Sequence, residues 1–235
     1  QIREKIALAE TLFSSLAGLK REKGLIKWLY GRNDHLSFEI VAKDNKINFY
    51  VIVPDKIKDF VEQQIHAQYP HAQIDVESDY NIFKPQSHII GAYLFLKNKS
   101  VFPLKTYKKI ESDPLSVILN PLSKVGEEEG AVIQYIIRPA SPKWHRQGVK
   151  MIRDIREGQK FEYVARRSGF MRSLQKWKKV LFKSNKQDSI NEPYRLTQME
   201  EEMVKNMEEK ISHGGLELTI RIISSANTKE KAQLN

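Results

Sequence analysis

The sequence predicts an α+β protein built from two ferredoxin-like α/β sandwich units with antiparallel sheets, of which the first lacks its first strand. Three observations predict this class. Segments with apolar residues at helical spacing are interspersed with segments in which every second residue is apolar. Over residues 1–80 the order is helix, strand, strand, helix, strand, which is a βαββαβ unit without its first strand. The chain has 235 residues and is 40% hydrophobic, enough for one large or two small domains, each with its own core.

Residues 1–80 form the first predicted unit, which opens on a helix and a β-hairpin. The helix carries its apolar side chains on one side, and Gly18 can end it. Segments 36–42 and 46–53 alternate apolar and polar residues, as half-buried strands do. Only an Asp-Asn pair separates the lysines that flank these two segments, which predicts a tight antiparallel hairpin.

The remainder of the first unit is predicted as a helix and a short strand. Pro54 and Asp55 begin the helix, Pro70 ends it, and residues 72–77 form the strand. A complete ferredoxin-like unit has one more strand before its first helix. We therefore expect that strand directly before Gln1, and we interpret the sequence as a piece of a longer protein.

The second predicted unit spans residues 88–235. The stretch IIGAYLFLK at 89–97 is almost continuously apolar, which predicts a central strand covered on both faces. Residues 130–139 and 216–223 predict two further strands. Helix-start signals are an Asp-Pro pair, a Ser-Pro pair and a capping-box spacing, which occur at Asp113, Ser141 and Thr197.

A basic insertion at about 158–195 interrupts the second unit. Residues 156–187 contain ten Lys or Arg and only two acidic residues, so most of the net charge of +10 lies there. Within GFMRSLQKWKKVLFKSNK, residues 169–186, apolar and basic residues each recur at helical spacing. This pattern fits an ordinary surface helix, an anionic membrane surface or nucleic-acid phosphates, and we rank membrane contact slightly above DNA contact. The residues predicted to contact the anionic surface are Arg166, Arg167, Arg172, Lys176, Lys178, Lys179, Lys183 and Trp177.

No catalytic or cofactor-binding motif occurs in the sequence. P-loop, GxGxxG, GxSxG, HExxH and EF-hand patterns are absent, and without cysteine there is no thiolate zinc site. His66 with His71, and Asp75 with Glu77, lack the further ligands that a metal site needs. Phe49 lies on a strand face predicted to be buried, which argues against RNA stacking on the sheet. We expect no catalysis, metal or cofactor in this chain.

Several long stretches resemble the N-terminal region of bacterial type IV secretion and conjugative DNA-transfer ATPases. They are AETLFSSLAGL, HLSFEIVA, NFYVIVPDKIKDFVEQQIHAQYPHAQI and SVFPLKTYKKIESDPLSVILNPLSKVGEEEGAVIQYIIRP. The similarity in order and spacing covers residues from about 5 to 225. In that family, this region follows a membrane anchor and precedes a RecA-like motor that holds the P-loop. The resemblance therefore implies a membrane-tethered parent ATPase at the cytoplasmic face of the cell membrane, with the motor domain absent from this sequence.

Two functions fit these observations. The leading hypothesis is a non-catalytic accessory domain that positions the motor and contacts other subunits of a homo-oligomer through exposed sheet edges. The alternative is a nucleic-acid-binding module without sequence preference that acts through residues 156–187. The absence of catalytic motifs from the sequence disfavours a free-standing enzyme. The expected partners are thus the motor domain, further subunits, and an anionic membrane surface or DNA.

Overall fold

The computed structural model describes residues 2–19, 35–106, 113–159, 164 and 196–235. These residues form six α-helices and five strands, and the α+β class predicted from the sequence is confirmed. The elements are α1 (Ile2–Ala17), β1 (Leu36–Lys43), β2 (Lys46–Ile52), α2 (Lys58–Gln68), β3 (His88–Leu94), α3 (Pro114–Leu122), β4 (Gly130–Pro139), α4 (Pro142–Arg156), α5 (Gln198–Ser212), β5 (Leu216–Ala226) and α6 (Lys229–Leu234).

The five strands of the described residues form one antiparallel sheet in the order β2-β1-β4-β5-β3. The predicted hairpin of β1 and β2 is confirmed, and both residues of its turn, Asp44 and Asn45, have the positive φ of a type I′ turn. The prediction of two separate sheets is wrong. Because β4 pairs with β1 on one side and with β5 on the other, the strands of both predicted units belong to the same sheet.

Three local predictions are also wrong. Residues 72–77 form no strand, and the second neighbour of β1 in the sheet is β4. β3 lies at an edge of the sheet instead of its centre, and most of its side chains are exposed. Phe49 is exposed because β2 forms the opposite edge, where the helix-covered clusters include Ile47 and Val53 but not Phe49.

The chain divides into two compact units, and the first contains the whole sheet. It comprises Gln1–Leu96, Lys105–Ser141 and Gly214–Asn235. On one face of the sheet, α1 and α2 bury Leu36 and Ile137, while α3 buries Ile40 and Ala131. On the other face, the irregular segment that precedes β3 packs its buried Ile82 against β1 and β4.

The second unit comprises Lys97–Leu104 and Pro142–His213. This division differs from the predicted units 1–80 and 88–235, because β3, β4 and β5 join the sheet of β1 and β2. Helices α4 and α5 pack together, and the predicted capping box at Thr197 is confirmed. Their shared core consists of Val101, Met151, Ile152, Ile155, Val164, Val204, Met207 and Ile211. Most of the predicted basic insertion, 160–163 and 165–195, lies outside the described residues.

Replacing Gly148 with alanine tests the close contact between α4 and α5. A Cβ atom there would stand 2.7 Å from Cγ2 of Ile211 and 3.4 Å from Cγ1 of Val101. Alanine gains about 1 kcal/mol of helix propensity, but overpacking costs about 1–3 kcal/mol. We expect the substitution to lower the free energy of unfolding of this helix pair by about 1 kcal/mol. Hydrogen exchange of the α4 and α5 amides measures this change.

The matched control for Gly148→Ala is Gln147→Ala on the exposed side of the same helix, which should leave exchange unchanged. Ile211→Ala removes the clashing methyl group, so Gly148→Ala should cost less in that background. A Gly148→Ala protein more stable than the parent would contradict the contact.

Candidate functional site

The residues predicted to contact an anionic surface lie outside the described residues. They are Arg166, Arg167, Arg172, Lys176, Trp177, Lys178, Lys179 and Lys183. Their predicted role therefore stays a prediction. The candidate sites that follow come from the described residues of the first unit.

A row of polar side chains crosses the entire sheet on one face. The strand register aligns Tyr50 of β2, Glu39 of β1, Gln134 of β4, Arg221 of β5 and Tyr93 of β3. Directly paired residues of neighbouring strands project to the same face, so all five belong to one line of side chains. We call these five residues the polar row. Each strand contributes one member, so the row is visible only once the register is known.

One end of the polar row is covered by Tyr80. Its hydroxyl donates a hydrogen bond to Oε2 of Glu39, and Nε2 of Gln134 donates to Oε1 of the same carboxylate at 2.9 Å. The ring of Tyr80 stacks on that of Tyr50 with centroids 4.9 Å apart. Glu39 is only 4% exposed, and a buried carboxylate requires such donors. Tyr80 thus anchors the segment before β3 to the sheet.

The two stacked phenols of the covered end remain protonated at neutral pH. Burial and the neighbouring Glu39 carboxylate raise the pKa of Tyr80 far above its ordinary value. Burial and the Glu77 carboxylate also raise the pKa of Tyr50. A protonated Tyr80 can donate to Glu39 but cannot act as a base. The hydrogen bonds to Glu39 and the stacked rings of Tyr50 and Tyr80 thus hold the covered end together.

The other end of the polar row is open. Tyr93 is 55% exposed, and within the described part of the chain the buried atoms Oε1 of Gln134 and Nε of Arg221 have no hydrogen-bond partner. No group of three or more His, Asp or Glu able to hold a metal ion occurs in the described part of the chain. Among the helices that the structure describes, none has the length and apolar character needed to cross a membrane.

The open end leads to an exposed apolar strand edge, which is the principal candidate site. We call residues 88–96 the β3 edge. β3 pairs with β5 on one side, and no other strand of the described residues pairs with its second side. Its large apolar side chains are between 55% and 88% exposed, and they are Ile89, Tyr93, Leu94, Phe95 and Leu96. Ile89 and Tyr93 lie on the face of the polar row, while Leu94 lies on the opposite face.

The β3 edge lacks the usual protection of an exposed strand. Natural sheets place Lys, Pro or other charged residues on their free edges, which discourages pairing with other chains. Residues 88–96 contain no Asp, Glu, Lys, Arg or Pro. The opposite edge, β2, begins with Lys46 and exposes Phe49, Val51 and Ile52. The β3 edge is thus open for strand pairing.

Comparison with known proteins gives a family but no function. Searches of the curated proteins and of the solved structures found no significant match. A family model described as a domain of unknown function (DUF8128) matches residues 3–234. Because the match covers nearly the whole chain, the chain belongs to the DUF8128 family.

Proposed function

We propose that this protein is a non-catalytic accessory domain that mediates subunit contacts in a membrane-tethered type IV secretion or conjugative DNA-transfer ATPase. The β3 edge is the observation that carries the proposal of subunit contact. The resemblance of residues from about 5 to 225 to the N-terminal region of those ATPases supports the proposed context.

The β3 edge supplies both components of a strand-pairing interface. Its free side presents backbone N–H and C=O groups, which a further strand can pair in an antiparallel or parallel ladder. Its exposed side chains lie on both faces, so a paired strand would cover apolar surface above and below the sheet. Full burial of one such side chain contributes about 1.5–3 kcal/mol.

A second copy of this chain is the partner that the charge distribution favours. Two copies with a net charge of +10 each repel one another, and most of that charge lies in residues 156–187, which are separate in sequence from the β3 edge. The β3 edge contains no charged residue, so two copies can approach there without bringing like charges together. Pairing of two β3 edges gives a two-fold dimer, while pairing of a β3 edge with the β2 edge of a neighbour propagates toward a ring or filament.

The double substitution Leu94→Lys/Phe95→Lys tests this contact. We expect the parent chain to associate as its concentration rises from about 10 μM to about 1 mM. The variant should stay monomeric, because two lysines per edge add repulsion and leave polar groups in the interface. Light scattering during size-exclusion chromatography measures the mass, and unchanged thermal unfolding shows that the variant is folded.

The matched control, Phe49→Lys/Ile52→Lys, places two lysines on the β2 edge. It should leave a two-fold dimer intact, whereas it should abolish association when β3 pairs with the β2 edge of a neighbour. A parent chain that remains monomeric up to about 1 mM would contradict subunit contact through the β3 edge. The ATPase context has a separate test in the gene that encodes this sequence. A gene that encodes no P-loop downstream of this region would contradict the ATPase context.

Nucleic-acid binding through residues 156–187 is a second candidate function. The ten basic residues of this segment against two acidic ones are the observation that favours it. Contact with an anionic membrane competes with it, since Leu174 and Trp177 add apolar groups to the charge. Leu174→Ser/Trp177→Ser separates the two, because membrane insertion needs apolar side chains and phosphate binding does not.

A further inference from the structure

The inner face of α4 determines which of its side chains point to solvent. Gly148, Met151, Ile152 and Ile155 are buried, and the three larger ones belong to the core of the second unit. With 3.6 residues per turn, this burial fixes the rotation of the helix about its axis. The opposite face is therefore presented to solvent in a defined orientation.

Three cations follow one another along that outer face. Arg146, Lys150 and Arg153 are spaced by four and three residues, which places them on one side of the helix, opposite the buried positions. Arg146 and Arg153 are exposed, and Lys150 is partly exposed. At 1.5 Å per residue the three span about 10 Å. We call these three residues the outer stripe.

Nearby acidic residues neutralise only part of the positive charge of the outer stripe. No acidic side chain of the described residues forms an ion pair with Arg146 or Lys150, although Asp154 lies one turn beyond Lys150. Arg153 lies 3.7 Å from Glu157, which offsets part of its charge, but both side chains are more than 60% exposed, so the pair is weak and Arg153 can exchange Glu157 for a phosphate. Like charges four residues apart also destabilise a helix slightly. An anion bound along the stripe would relieve this repulsion.

We propose that the outer stripe binds the phosphate backbone of a nucleic acid. Duplex DNA carries one negative charge for about every 1.7 Å of its axis, so a track of about 10 Å faces several phosphates. Contacts from Arg and Lys to phosphates carry no sequence information, so the binding is independent of sequence. The proposal concerns residues before the 156–187 segment and is independent of the proposed subunit contact.

The packing of α4 disfavours a lipid surface as the partner. A helix that binds in a membrane interface inserts its apolar face among the acyl chains. The apolar face of α4 is already buried in the core, and Val149 is the one exposed large apolar side chain of this helix. The outer stripe thus offers fixed cations without an inserting surface.

The triple substitution Arg146→Gln/Lys150→Gln/Arg153→Gln tests the proposal in the intact chain. The probe is a fluorescent DNA duplex, and its anisotropy is followed as the salt concentration rises from about 50 mM. Loss of three phosphate contacts should reduce the magnitude of the negative slope of log K, the logarithm of the association constant, against log salt by about 2–3. It should also weaken binding at least about tenfold. Arg146→Lys/Arg153→Lys keeps the charges and should keep the slope.

The charge-matched control is Lys56→Gln/Lys58→Gln/Lys124→Gln, which removes three charges from the first unit. It should reduce affinity far less than the triple substitution in α4. Equal loss in both variants, an unchanged slope in the α4 variant, or no duplex binding by the parent at about 50 mM salt would each overturn the proposal. Binding of anionic vesicles but not of duplex would also overturn it and would favour membrane contact.

Discussion

Replacing Gly130 with alanine is expected to detach the segment around Ile82 from the sheet and to lower the free energy of unfolding by about 2–3 kcal/mol. A Cβ atom on this first residue of β4 would lie 2.7 Å from Cβ of Ile82, 2.9 Å from its carbonyl oxygen and 3.3 Å from its Cα. Two of these three atoms are backbone, so no rotamer change relieves the clash. Ile82 would move away from Val41 and Val132, with which it forms a buried cluster.

The matched control for Gly130→Ala is Gly91→Ala in β3, because both glycines lie in strands of the same sheet. At Gly91 the nearest heavy atom to a Cβ would be the carbonyl oxygen of Ile222 at 3.9 Å, an ordinary contact. Urea unfolding should show a loss for Gly130→Ala only, and hydrogen exchange should show faster exchange near Ile82. Equal stabilities of the two variants would contradict the close packing of this segment on β4.

Local signals account for the elements that were predicted correctly from the sequence. The β1–β2 turn has two residues that both tolerate positive φ, so the hairpin follows from four neighbouring positions. Asp113 accepts a hydrogen bond from the backbone N–H of Leu115, and Thr197 pairs reciprocally with Glu200. Each of these helix starts depends on residues that are close in sequence, and each was therefore predictable.

Partner choice between distant strands was not predictable from alternation alone. β1 and β4 pair across about ninety residues of sequence, and alternation tells which face of a strand is apolar but not which strand lies beside it. The apolar run of β3 has the composition of a covered central strand, yet it forms an open edge. For the same reason the polar row was missed, because Glu39, Gln134 and Arg221 come together only through the register.

Tyr80→Phe is expected to destabilise the protein by about 1.5–3 kcal/mol, because it removes a donor to the buried Glu39 carboxylate while the ring remains. The exposed Tyr93→Phe is the matched control and should change stability by less than about 0.5 kcal/mol. Glu39→Leu in the Tyr80→Phe background removes the unsatisfied acceptor. The double variant should therefore be more stable than the sum of the two single changes implies. Additive losses would contradict the hydrogen bond.

Alkaline pH should reduce the difference in the free energy of unfolding between the unsubstituted protein and the Tyr80→Phe variant. The folded state holds the pKa of Tyr80 above its ordinary value of 10.0, so the unfolded chain loses this proton first as the pH rises. The stabilisation from Tyr80 is thus fully present below about pH 10 and decreases as the pH rises toward the folded-state pKa. Burial also raises the pKa values of Tyr50 and Tyr135. These two residues lower the stability of both proteins alike as the pH rises, so they do not change the difference. Urea unfolding midpoints between about pH 7 and about pH 11 should therefore converge. A constant difference across that range would mean that Tyr80 titrates alike in the folded and unfolded chains, which its bond to a buried carboxylate does not allow.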